Sequence, residues 1–275
     1  MTVAVGIMQG RLLPPFEGRF QTFPAEGWRD EFPRAQAAGL HCIEWIYEVP
    51  HEADNPLGSD AGVAEMAALI ERTGVRVRSI CADYYMQRRL IGADGRADKA
   101  VAEHLDWLIG RAALLGITYM VLPFVDASSL KTEDERAELA TMLARLLPRA
   151  QAAGVELHLE TDLPPDAFSA LLSRVGHPFL KANYDIGNSA SLGYDPNQEL
   201  VALKPFLGSV HVKDRVRGGG TVPLGTGNAD FSSAFRRIRE AGFDRWFILQ
   251  AARNPDMDEV AWAAHNRAFV ERWVG

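Results

Sequence analysis

Four polar residues in the C-terminal half of the chain each sit at or near the end of a short apolar run: Glu160 in VELHLE, Asp185 in FLKANYD, His211 in SVHVKD and Gln250 in WFILQ. A carboxylate that follows buried neighbours such as Leu157 and Leu159 must be solvated, paired or metal-bound to offset its desolvation. Singly, each residue has a plain structural reading: Glu160 as a rim salt bridge, Asp185 as a turn residue accepting backbone N–H groups, His211 as a satisfied strand histidine, and Gln250 as a polar strand end. Together they offer one nitrogen and three oxygen donors. That set suits a single Mn²⁺ or Mg²⁺ ion, with Zn²⁺ or Co²⁺ as lesser alternatives.

Such a set works only if separate elements carry it to one axis. The chain repeats a unit made of an amphipathic helical stretch, a glycine and a short apolar run. Helical patterns end at Gly39, Gly74, Gly116, Gly154 and Gly242, with Gly208 similarly placed. Strands are expected over 3–8, 41–46, 75–81, 119–125, 155–160, 179–185, 209–212 and 246–250. Helices are expected between them, for example over 99–115, 133–152 and 232–241. Eight β-then-α units predict an α/β fold, a (β/α)8 TIM barrel, with a doubly wound sheet as the alternative. Neither GxGxxG nor GxxxxGK[ST] follows the first strand, which weighs against that alternative. One domain is expected over 1–275.

In a barrel the chemistry gathers where the C-terminal ends of the strands converge. The residues at or just past those ends are Gln9, Glu44, Asp83, Asp126, Glu160, Asp185, His211 and Gln250. Nearly all can bind a metal or move a proton.

Composition narrows the function classes. The net charge of −7 disfavours nonspecific attraction to nucleic acid. Seven histidines argue against a cluster of several metals held mainly by imidazole. Cys42 and Cys81 fall in apolar runs and read as small core residues. No basic leader precedes the short apolar stretch at the N-terminus, and no run of 18 apolar residues occurs. A cytoplasmic protein with no membrane partner is expected, and a homo-oligomer is left open.

Around HLE at Glu160, NYDIGNSASLGYD at Asp185, HVKDR at His211 and the strand ending in Gln250, the chain resembles the xylose-isomerase-like TIM-barrel superfamily. The resemblance lies closest to its sugar phosphate isomerases and epimerases, including ketose 3-epimerases and L-ribulose-5-phosphate 3-epimerase-like proteins. It implies metal binding by Glu160, Asp185 and His211, with Gln250 standing where the family usually has glutamate, and makes Glu160 the candidate base, with one oxygen for the metal and the other for a substrate C–H. A glutamine oxygen can ligate, but the amide cannot accept and return a proton. Epimerisation through an enediolate therefore needs a second acid elsewhere, with Glu44, Asp214 or a loop residue as candidates. Asn188 stands where relatives often carry a substrate-contacting histidine.

Lys213 and Arg217 are candidates for substrate oxygens or a phosphate, followed by Arg11 and Arg253. His158, which shares a strand face with Glu160, is a candidate for orienting it or touching substrate. Trp45, Tyr47, Tyr84, Tyr85 and Phe124 are candidate walls for a carbohydrate. The leading expectation is a metal-dependent isomerase or epimerase of a ketose or ketose phosphate. A sugar or cyclitol dehydratase and a non-catalytic carbohydrate-binding barrel are the alternatives, and a DNA-repair endonuclease of the same superfamily carries little weight.

Overall fold

After the first, each apolar run follows a helix and pairs in parallel with its predecessor, and the eighth pairs with the first. In the computed structural model, which describes residues 4–274, the barrel strands are β1 (Val5–Met8), β2 (Cys42–Ile46), β3 (Arg76–Cys81), β4 (Tyr119–Phe124), β5 (Glu156–Thr161), β6 (Leu180–Asp185) and β7 (Leu207–Val212). A short antiparallel pair follows, β8 (Asp214–Arg215) and β9 (Thr221–Val222), before β10 (Phe247–Leu249) closes the barrel between β7 and β1. The expected (β/α)8 barrel is therefore present. The first expected strand begins at Val3, which lies outside the described residues.

Local chemistry explains the element ends. The helix Glu133–Ala153 starts with a reciprocal cap: Thr132 accepts the backbone N–H of Glu135, and the Glu135 carboxylate accepts that of Thr132. It stops at Gly154, where φ is 72°, a left-handed conformation that favours glycine. Gly208 departs from expectation because it lies inside β7, which begins two residues earlier than the pattern indicated. Its role is close packing. A Cβ there would lie 2.5 Å from Lys181 Cβ and 2.7 Å from His158 Cε1.

The interior of the barrel is unusual in its polarity. Bulky aliphatic side chains commonly fill this space, yet Glu44, Ser79, His158, Asn183, Ser209 and His211 are all buried here. They satisfy one another across it, as the site shows. The aliphatic and aromatic core lies largely between barrel and helices, where Trp45 packs against Phe23, Trp28 and Phe32. Cys42 and Cys81 are buried and free. No helix among the described residues is long and apolar enough to cross a membrane.

Candidate active site

Strand alternation turns residues 156, 158 and 160 of β5 to the same side, and the polar interior arises from such rows. Glu160, Asp185 and His211 end adjacent strands, and one ligating atom from each lies within 4.8 Å of the others. All three are buried. His211 Nδ1 is 3.3 Å from Glu160 Oε2 and 3.9 Å from Asp185 Oδ2. Its Nε2 reaches across the barrel to Glu44 Oε1 at 2.6 Å, while Ser79 Oγ donates to Glu44 Oε2 at 2.6 Å. Its Nδ1 also lies 3.1 Å from Asn183 Nδ2, and with the ring proton kept on Nε2 toward Glu44 the Nδ1 edge would be the one to face a cation.

Electrostatics favour a cation here. Burial by itself would push the imidazole of His211 down, but Glu44 and Glu160 on its two edges hold it well above the ordinary histidine range. Glu160 is lowered despite burial, because His211, Lys213 and Asn183 favour its charged form. Asp185 is raised, because burial and the charge of Glu160 outweigh Lys213 and His211. A donor set of two carboxylates and an imidazole nitrogen, with negative charge in excess, fits a divalent ion.

Gln250 meets this group through Lys213. Its amide N–H donates to Gln21 Oε1 at 2.8 Å, which leaves Oε1 facing Lys213 Nζ at 3.3 Å. Lys213 Nζ is in turn 3.5 Å from Asp185 Oδ2. Gln21 then passes its own amide N–H to Asp83 Oδ2 at 2.8 Å. Sequence reasoning missed Gln21 because it lies in an irregular loop before the first helix, with no periodicity to mark where it points.

Two amides hold the carboxylate of Glu160. Asn183 donates to Oε2 at 2.9 Å and Asn188 to Oε1 at 2.7 Å. Asn188 also accepts from Arg215 Nη1 at 2.9 Å, and its backbone N–H donates to Asp185 Oδ1 at 2.8 Å. Asn183 and Ser209 were overlooked in the sequence, being short polar residues inside apolar runs. The signal was there: residues two positions before Asp185 and His211 share their strand faces.

Several other expectations are corrected. Glu44 does not meet substrate: it is fully buried, with His211 and Ser79 on its two oxygens. His158 does not line the cavity: it lies buried in the barrel interior between Ser209 Oγ at 2.8 Å and Glu156 Oε2 at 3.0 Å, its ring stacked on Tyr119, and reaches Glu160 only through Ser209 and Asn183. Arg11 is buried and holds Phe20 O, Ala251 O and Gln21 Oε1. Arg253 binds the backbone carbonyls of Leu13 and Gly10. Arg217 is exposed beside Gly193, outside the cavity wall, where Arg215 stands instead. Asp214 accepts the backbone N–H groups of Gly225, Gly227 and Ala229, so it anchors a loop and is closed to proton transfer. The five proposed aromatic walls pack elsewhere, and Phe20 is the aromatic in the cavity wall.

That cavity, about 560 Å³, opens above the donor cluster at the C-terminal ends of the strands. Its wall includes Arg19, Asp83, Glu160, Asn188, Lys213 and Gln250. The volume is in the range of small-molecule sites.

Comparison with known proteins agrees with this architecture. A family model described as xylose isomerase-like TIM barrel matches residues 32–273. An L-ribulose-5-phosphate 3-epimerase, UlaE, from Escherichia coli is 26% identical over 255 residues, covering 90% of this chain and 89% of the relative. The D-allulose 3-epimerase of Methylomonas sp., solved with D-allulose, superposes with a TM-score of 0.74 at 18% identity, over 98% of this chain and 96% of that one. A xylose isomerase-like TIM barrel protein from Mycobacterium smegmatis, solved with magnesium, superposes with a TM-score of 0.74 at 19% identity, over 99% and 96%.

Proposed function

Because the chain belongs to the xylose isomerase-like TIM-barrel family, we propose that it is a divalent-metal-dependent epimerase of a ketose or ketose phosphate, working through an enediolate with Glu160 as base. The observation that carries this reading is the convergence of Glu160, Asp185 and His211 ligand atoms within 4.8 Å, with Glu160 itself lining the cavity. The activity of the E. coli relative supports the reaction class.

Glu160, Asp185, His211 Nδ1 and Gln250 Oε1 would hold one Mn²⁺ or Mg²⁺ ion. When bound, such an ion supplies Lewis-acid stabilisation of negative charge on substrate oxygens, worth roughly several kcal/mol. Asn183 and Asn188 fix the Glu160 carboxylate from both oxygens, limiting its rotation as it takes a proton from the sugar carbon. Glu44 and Ser79 lock the His211 ring. Arg215 holds Asn188 in place through Nη1. Lys213, next to Asp185 and Gln250, supplies a buried N–H donor for a substrate oxygen.

The test is metal-stripped protein titrated with Mn²⁺ and then followed by NMR in D₂O with L-ribulose, D-allulose and L-ribulose 5-phosphate. One ion per chain and ion-dependent deuterium at the sugar C3 are expected. Asp185→Ala should keep the fold and lose the ion. Tight Mn²⁺ binding by Asp185→Ala would remove that residue from the site. No exchange by the Mn²⁺-loaded wild type with any of the three sugars would overturn the epimerase reading, and loss of a hydroxyl in its place would turn the assignment to a dehydratase.

A further inference from the structure

Inverting a carbon through a planar enediolate takes two proton transfers. One group removes the proton from one face, and another delivers a proton to the opposite face. Glu160 can serve one face. Gln250 has no proton to exchange at ordinary pH, and Glu44 and Asp214 are shut off from the cavity by their own hydrogen bonds. A 3-epimerase with this wall needs another group.

The acidic side chains and the lysine that line the cavity can be taken in turn; the Cys81 thiol in the same wall is turned to Asp83 as a hydrogen-bond donor. Glu48 is occupied by Thr22 Oγ1 and by the backbone N–H of Phe23 on one oxygen, with Arg19 near the other. Asp162 is held by Ser129 and leaves the barrel two residues after Glu160, so it approaches from the same side as Glu160. Asp126 lies on an exposed turn at the rim. Lys213 is tied between Asp185 and Gln250. Asp83 remains. It lies just past the end of β3, with β4 between it and the Glu160 strand, and it faces the same cavity. Gln21 and the Cys81 thiol each donate one hydrogen bond to it, at 2.8 and 3.2 Å, and each of its oxygens keeps a further lone pair.

We propose that Asp83 is the second proton-transfer residue of this site, acting on the face of the substrate C3 opposite Glu160. The assignment rests on the epimerase reading above. The hydrogen-bonded chain from Gln250 through Gln21 to Asp83 places this carboxyl one glutamine away from the position that lacks a proton-carrying group. Burial pushes the Asp83 carboxyl up to about 6, against the hydrogen bonds from Gln21 and Cys81 and with help from the charges of Glu48 and Glu160. A carboxyl so placed is protonated often enough near neutrality to act as an acid.

The step balances. The C3 proton passes to the Glu160 carboxylate and its bonding pair enters the enediolate. The O–H bond of Asp83 then breaks, its proton joins C3 on the other face, and Asp83 is left as the carboxylate. Exchange with water through the open cavity resets both groups, and the reverse reaction interchanges their roles.

The experiment uses Mn²⁺-loaded full chain in D₂O with D-allulose and D-fructose, and with L-ribulose and L-xylulose, each sugar tested separately. In Asp83→Asn, epimer formation should fall by about 100-fold or more. C3 deuterium exchange should persist within a few-fold for the epimer whose C3–H faces Glu160 and disappear for its partner. Asp83→Glu should restore part of the epimerisation, which separates loss of a proton carrier from loss of structure. Wild-type epimerisation by Asp83→Asn would overturn the assignment, as would equal loss of exchange from both epimers. If wild type exchanges none of these sugars and not L-ribulose 5-phosphate either, the epimerase reading falls and takes this assignment with it.

Discussion

Two glutamates four residues apart on β5 face the same barrel interior and have opposite surroundings. Glu156, at the N-terminal end of the strand, is paired with Arg245 and with His158 Nε2. Glu160, at the C-terminal end, is held by two neutral amides beside an imidazole and opens onto the cavity. A guanidinium partner stabilises one charge state permanently, whereas amides orient a carboxylate and leave its lone pairs available. The first arrangement suits a structural anchor and the second a group that works. Ser209 and Asn183 connect the two ends, accepting from or donating to His158 on one side and Glu160 on the other.

The comparison breaks most visibly at Glu160. Glu160→Gln should lower turnover by about 10²–10⁴-fold while retaining bound Mn²⁺, since an amide oxygen can still ligate. Steady-state rates and ion stoichiometry check this, and wild-type turnover would remove Glu160 as the base.

A smaller effect is expected one layer below. Glu44→Gln should weaken Mn²⁺ binding by about 10–100-fold, because the carboxylate that orients a ligating histidine also raises its basicity. Calorimetric titration measures it directly. Unchanged affinity would mean that the His211 ring is positioned without Glu44.

The smallest effect belongs to the anchor. Glu156 is held at about 2: burial raises it, and His158 and Arg245 outweigh that rise. Burial also pushes His158 below the ordinary histidine range, so at neutral pH Arg245 is the lasting positive partner. With the folded value below the ordinary 4.5, the contribution to stability is whole above about 4.5 and is lost as pH falls toward 2. Glu156→Gln should therefore cost on the order of 2 kcal/mol at pH 7 and much less at pH 3. Urea midpoints at the two pH values give the comparison. An equal difference at both would show that Arg245 is not what sets the carboxyl.

Much of the frame was legible in the residues alone. Glycines after helical stretches and short apolar runs specified eight β-then-α units, because helix stops and strand burial are local properties written every few residues. The polar strand ends were readable for the same reason: once the period is known, position along a strand predicts which end of the barrel a side chain reaches. The strand before His211 was less clear. Leu207 and Gly208 resemble the tail of the preceding helical segment, and only packing against His158 shows why glycine is required there.

Direction and distance were decided by the tertiary structure. Glu44 and His211 are 167 residues apart and meet across the barrel, so nothing local in CIEWI marks Glu44 as a support under the site. Arg215 and Arg217 differ by two positions in one loop, and only the turn that carries Gly218 to Gly220 puts the first in the cavity wall and the second in solvent. Gln21 and Asp83 come from separate loops and become neighbours of Gln250 only through barrel closure. The sequence by itself determined which strand ends could carry donors, because periodicity and burial are short-range. Which donors share an oxygen, a proton or a cavity depended on how the closed barrel brings loops distant in the chain together over one axis.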